Sequence, residues 1–127
     1  MSEPALAREI FERLRQATAN QPDVLAELCR DYVSEARKTL DQIGRALADA
    51  DVRQLRERAH YLKGSSMMIG ARELSGSCAR LEQMGRDGQL SEAAPELAQA
   101  TAALKTVEAE LLRELGPAAV PEHGSAA

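Results

Sequence analysis

The sequence predicts an all-α fold: an antiparallel up-down-up-down four-helix bundle preceded by a short extra N-terminal helix. Three observations predict it. Ala (23) and Leu (16) are abundant while Val, Ile and Thr together number 12, and the residues that dominate are those that lose least freedom on entering a helix. Apolar residues recur at three- and four-residue spacing along five segments. The connections between the long segments are short, which favours antiparallel neighbours. A length of 127 residues suits one domain, with room for one core and none for a second catalytic module.

The first helix is expected over about 2–17, with Ser2 as N-cap, Pro4 in the first turn and Leu6, Ile10, Leu14 and Ala17 on one stripe. It is short and should pack over an end of the bundle. The break at Asn20-Gln21-Pro22 opens a long helix to about Ala48, whose Leu25, Leu28, Tyr32, Ala36, Leu40, Ile43 and Leu47 recur at helical spacing. Asp51 and Gln54 resemble a capping box, starting a third helix with Leu55, Ala59, Leu62, Ser66 and Ile69 inward, and Gly70 ends it. A fourth helix over about 71–84 presents Leu74, Cys78, Leu81 and Met84, and is expected to stop at Gly85-Arg86-Asp87-Gly88. The fifth, about 91–115, turns Leu97, Leu104, Val107, Leu111 and Leu115 inward, with Pro95 in its first turn and Gly116-Pro117 after it. One helical domain over 1–115 is therefore expected, followed by a tail over 116–127 whose small, Pro and Gly residues have the composition of a disordered segment.

The net charge of −4 and the presence of only three aromatic residues argue against nucleic-acid binding, which needs basic surface and stacking platforms. No run approaches the ~20 apolar residues that span a bilayer, and MSEPALAREI has neither the basic nor the apolar region of a signal peptide. A cytoplasmic monomer with no membrane contact is expected. Cys29 and Cys78 fall inside helical patterns without ligand spacing, as two reduced core thiols would. With one His in the body of the chain, they offer no recognisable metal set.

The chemistry concentrates in Ala59-His60-Tyr61-Leu62-Lys63-Gly64-Ser65-Ser66. At ~100° per residue, Lys63, Gly64 and Met67 lie within ~60° of His60, while Leu55, Leu62 and Ile69 cluster on the opposite side. His60 therefore faces solvent. Gly in a helix interior costs up to ~1 kcal/mol relative to Ala, so Gly64 has a reason to be there: it clears space for something that approaches closely. Lys63 sets a cation one turn from the imidazole, where it favours the neutral nucleophile and can later pair with an anion carried by the ring. The arrangement suits a phosphorylated histidine. Tyr61 and Met67 flank His60 on the exposed side, and Met68 is less clearly oriented. Residues 45–72 carry six cations, Arg56 among them, against three anions, leaving +3 where the rest of the chain carries −7; such a patch would steer an acidic partner.

The run His60-Tyr61-Leu62-Lys63-Gly64-Ser65-Ser66, followed by Ile69-Gly70-Ala71, Leu74, Cys78 and Leu81-Glu82, resembles the histidine-containing phosphotransfer (HPt) domain of multistep phosphorelays, over roughly 24–115. The resemblance implies that His60 accepts a phosphoryl group through Nε2 from a receiver-domain aspartyl phosphate of a hybrid sensor histidine kinase. It then passes the group to the receiver of a response regulator, without ATP hydrolysis or autophosphorylation. No cofactor of its own is implied; Mg²⁺ and most catalytic groups would belong to the receiver. Lys63 would lie beside the phosphoryl oxygens, Gly64 would admit the receiver's loops, and Arg56, Tyr61 and Met67 would contact the partner. Glu82 falls where family members carry Gln or Glu able to accept from His Nδ1–H, which would fix the tautomer. A carboxylate there also favours a charged ring, opposing the effect of Lys63. The competing expectation is a helical adaptor that binds a receiver domain without taking phosphate, and intact His60, Lys63 and Gly64 weigh against it.

Overall fold

The computed structural model describes residues 4–122, and within them five α-helices and no strand: α1 (Arg8–Ala17), α2 (Pro22–Ala48), α3 (Val52–Ile69), α4 (Arg72–Asp87) and α5 (Ala93–Leu115), then one 3₁₀ turn, Pro117–Ala119. Helix α2 packs on α3, α3 on α4, α4 on α5, and α5 returns to α2. The short connections make each consecutive pair antiparallel, so the bundle closes on itself. Leu25, Cys29, Val33, Ala36 and Ile43 of α2 meet Leu55, Ala59 and Leu62 of α3, Leu74, Cys78 and Leu81 of α4, and Leu104, Val107 and Leu111 of α5 in one core. Cys29, Ala36, Ala59 and Cys78 are small, and small residues let helix axes approach closely.

The punctuation works as the residues dictate. The Asp51 carboxylate accepts from the Gln54 backbone N–H at 3.1 Å and starts α3. Gly70 ends α3 at φ +87, where a Cβ would also lie 3.2 Å from the backbone nitrogen of Ala7 and from Ile10 Cβ. That close approach seats α1 against α2 and α3, with Ala7 N–H donating to the Gly70 carbonyl at 2.9 Å.

Five expectations are corrected. Helix α1 begins at Arg8 rather than near residue 2. The Glu110 carboxylate of α5 takes the backbone N–H groups of Ala5 and Leu6 at 2.8 and 2.9 Å, and Leu6 is fully buried, so these residues are pinned across α5 instead of coiling. Ser2, expected as the cap, lies outside the described residues. On α1 the buried anchor is Phe11, whereas Ala17 is exposed. On α2, Leu28 is 44% exposed; Cys29 and Val33 take the inward places that the Leu28 spacing claimed.

Helix α4 runs through Gly85 to Asp87, and Gly88 at φ +67 is the cap. Gly85 is a packing residue: a Cβ there would meet Arg56 Cγ at 2.7 Å and the Val52 carbonyl oxygen at 3.3 Å. Finally, residues 116–122 are ordered against the bundle. Ala119 is fully buried, Val120 packs on the core, Arg30 donates to the Val120 carbonyl, and Arg37 donates to the carbonyls of Pro121 and Glu122 while gripping Glu108. The rest of the expected tail, His123 included, lies outside the described residues.

Candidate functional site

The site is built on the contact between α3 and α4, on the side away from the 116–122 segment, which lies on α2 and α5. The inward stripe of α3, Leu55-Ala59-Leu62-Ser66-Ile69, is buried. Its rotation fixes the opposite face, so His60 stands out with 68% of its side chain exposed. One further interaction locks α3: Tyr32 Oη and Ser66 Oγ share a hydrogen bond of 2.8 Å, with Ser66 fully buried.

Opposite His60, α4 presents Glu82, whose side chain is only 8% exposed. His60 Nδ1 lies 3.0 Å from Glu82 Oε2. A carboxylate can only accept, so Nδ1 carries the proton and donates; Nε2, the nitrogen that bears the lone pair in the neutral ring, has no hydrogen-bond partner among the described residues. Lys63 Nζ donates to Glu82 Oε1 at 2.8 Å, and the Arg86 guanidinium donates to Oε2 at 3.0 Å. Burial pushes the Glu82 carboxyl up, and the hydrogen bonds from Lys63 and His60 more than offset this, holding it below the ordinary value of 4.5. Glu82 is thus an anion at neutral pH, held in place by three donors.

Gly64 is exposed beside this cluster, and a Cβ on it would meet nothing within 4 Å. Among the described residues no helix needs the space that Gly64 clears. Tyr61 and Met67 are exposed on either side of His60, and Met68 is more exposed still. With Leu14, Leu28, Tyr32 and Ile69, Tyr61 and Met68 line a largely apolar groove of about 280 Å³, edged by Asp31, Glu35 and Ser65. Arg56 lies exposed over Gly85 with no ion pair among the described residues, whereas Arg53 is paired with Glu57 at 3.1 Å.

The structure therefore brings His60, Lys63 and Glu82 into direct contact and leaves Gly64, Arg56, Tyr61 and Met67 around them on one face. One difference concerns Lys63, which is bonded to the carboxylate and not turned to the imidazole. Arg86 was missed in the sequence, although Glu82 and Arg86 stand at the i,i+4 spacing that pairs charges on a helix.

Elsewhere, Cys29 and Cys78 are free and fully buried, and burial raises their thiols to about 11 and about 12, so both stay protonated. Among the described residues no group of three His, Cys, Asp or Glu side chains is placed to hold a metal ion, and no helix is long and apolar enough to cross a membrane.

Comparison with known proteins bears on the family and the fold. Residues 27–111 match the family model described as the Hpt domain. The chain is 24% identical over 76 residues to the phosphorelay intermediate protein YPD1 of Candida albicans, covering 60% of this chain and 41% of that protein. It is 31% identical over 72 residues to multistep phosphorelay regulator 1 of Schizosaccharomyces pombe, covering 54% and 24%. The chain thus spans less than half the length of these relatives. Among solved structures it is similar to histidine-containing phosphotransfer protein B (HptB) of Pseudomonas aeruginosa PAO1, with a TM-score of 0.82 and 27% identity over 89% of this chain and 96% of that one. With the family model matching residues 27–111, well over half of the chain, the chain belongs to the Hpt domain family.

Proposed function

We propose that this protein is a histidine phosphotransfer carrier of a multistep phosphorelay. His60 takes a phosphoryl group from the aspartyl phosphate of a hybrid sensor kinase's receiver domain and passes it to the receiver of a response regulator. The observation that carries the reading is the hydrogen bond from His60 Nδ1–H to a nearly buried Glu82 carboxylate. It leaves Nε2 as an exposed lone pair, with no proton to lose before it attacks phosphorus. Gly64 leaves open space beside the ring, and Lys63 and Arg86 supply positive charge where an anion would arrive. The names of the two yeast relatives, a phosphorelay intermediate and a multistep phosphorelay regulator, support the same role.

Receiver docking would use Arg56, Tyr61 and Met67 together with the groove that Leu28 and Met68 border. The groove offers apolar contact and is edged by the carboxylates of Asp31 and Glu35, while the positive charge of Lys63, Arg86 and Arg56 lies around His60 and suits a partner with an acidic active site. The carrier needs no kinase activity of its own, and Mg²⁺ comes with the receiver. We place it in the cytoplasm as a monomer.

The test is incubation with a phosphorylated receiver. Acid-labile, base-stable label on the wild type and none on His60→Gln is expected; full labelling of His60→Gln would defeat the assignment. Binding that ignores phosphorylation, with no phosphohistidine formed from any donor, would mark an adaptor instead.

A further inference from the structure

Glu82 is the hub of the site, and its two oxygens are not equivalent. Oε2 receives both His60 Nδ1–H and the Arg86 guanidinium, each at 3.0 Å, whereas Oε1 receives Lys63 alone, at 2.8 Å. One anion therefore meets two cations, and with a neutral imidazole the four side chains carry a net charge of +1. Lys63 can leave Oε1 without disturbing either bond to Oε2. Its own side chain is 29% exposed, so a path away from the carboxylate is open.

We propose that Glu82 is a positioning residue that parks Lys63 while His60 is empty and gives it up to the phosphoryl group when His60 is loaded. This rests on the phosphotransfer reading above. In that step the Nε2 lone pair forms the N–P bond, the acyl-phosphate P–O bond breaks with its electron pair leaving on the donor carboxylate, and Nδ1 keeps its proton. The ring becomes a cation bearing a phosphoryl group of about −2 charge. The bond from Nδ1–H to Glu82 becomes a charge-assisted ion pair, so the carboxylate no longer lacks a cation when Lys63 departs. Lys63 stands three residues from His60 on the same helical face and has a flexible four-carbon stem, so it reaches the ring's outer edge as well as Oε1. Arg86 and the ring together hold Glu82 still during the exchange. While His60 is empty, the bond to Lys63 satisfies Oε1, and that bond must break before the lysine can serve the incoming anion.

The chain has three lysines, Lys38, Lys63 and Lys105, which makes the exchange measurable. Reductive methylation of the whole protein with formaldehyde and dimethylamine-borane, read by peptide mass spectrometry, should modify Lys63 more slowly than the two reference lysines. In Glu82→Gln, which keeps the volume and an acceptor for Nδ1–H, Lys63 should react about threefold faster or more. In a second arm, phosphoramidate serves as a small phosphoryl donor, without any receiver. Lys63→Ala should slow His60 loading by a smaller factor in the wild type than in Glu82→Gln, the two factors differing by about threefold or more, since contacting residues couple.

Equal Lys63 reactivity in wild type and Glu82→Gln, or an equal Lys63→Ala factor in both backgrounds, would overturn the exchange. Loading of His60 with no such coupling removes the exchange and leaves the phosphotransfer reading standing. Failure of both phosphoramidate and phosphorylated receivers to label wild-type His60 brings down that reading, and the exchange with it.

Discussion

Gly64 and Gly85 both sit inside helices, and the structure assigns opposite signs to the same substitution at the two. At Gly64 a Cβ meets nothing within 4 Å. Gly64→Ala therefore gains helix propensity with no clash, a stabilisation of about 0.5–1 kcal/mol, or a rise in Tm of about 2–5 °C for a domain of this size. At Gly85 the added carbon would lie 2.7 Å from Arg56 Cγ and 3.3 Å from the Val52 carbonyl oxygen. The first contact is too close to exist, and the second is backbone in the first turn of α3, which cannot yield unless the helix moves. Overpacking of this kind costs about 1–3 kcal/mol, so Gly85→Ala should be destabilising on balance by about 1–2 kcal/mol. Urea denaturation followed by helical circular dichroism measures both. The functional sign is reversed at Gly64: a larger side chain on that open face, as in Gly64→Gln, should slow phosphoryl transfer about tenfold or more by holding the receiver off the ring, without loss of stability. Loss of stability in Gly64→Ala, or wild-type transfer by Gly64→Gln, would refute the reasoning.

Other expectations follow from the same contacts. The Glu82 carboxyl is held below its ordinary 4.5 because the bonds from Lys63 and His60 outweigh burial. A depressed carboxyl stabilises above its unfolded value and loses that contribution as pH falls through the folded one. The stability difference between wild type and Glu82→Gln should accordingly be constant near neutrality and shrink below about 4.5; a difference that grows on acidification would contradict this. Tyr32→Phe should cost about 1–2 kcal/mol in denaturant unfolding by leaving the buried Ser66 hydroxyl without its partner at 2.8 Å. Ending the chain after Leu115 removes buried Ala119, the Val120 packing and the backbone acceptors of Arg30 and Arg37. Tm should fall by several degrees, while phosphoryl transfer persists, because that segment lies on α2 and α5 and not on the face of His60.

Helix existence and orientation were legible in the sequence because they depend on local period and punctuation. Asp51 three residues before Gln54, Gly70 after Ile69, and the apolar stripe opposite His60 are all short-range signals, and each has its counterpart in the structure. What escaped depends on contacts between distant residues. Residues 5 and 6 are held straight by Glu110, more than a hundred positions away, and residues 120–122 by Arg30 and Arg37 across α2. Neither Pro4 nor the small residues of 116–122 betray a partner. Gly85 reads as a stop in sequence because nothing local tells a breaker from a packing glycine; only the position of Arg56 and Val52 does. At the site, the outward His60 and its neighbours on α3 came from helical spacing. The choice Lys63 makes between the imidazole and Glu82 did not, since it turns on how α4 is set against α3.

The measurement that tests the central claim most directly is the position of the phosphoryl group on the protein after transfer from a phosphorylated receiver, read by phosphorus and nitrogen NMR. The account predicts a single phosphohistidine, at Nε2 of His60, with Nδ1 still protonated toward Glu82. Phosphate on Nδ1 of His60, or on any other residue, would contradict it.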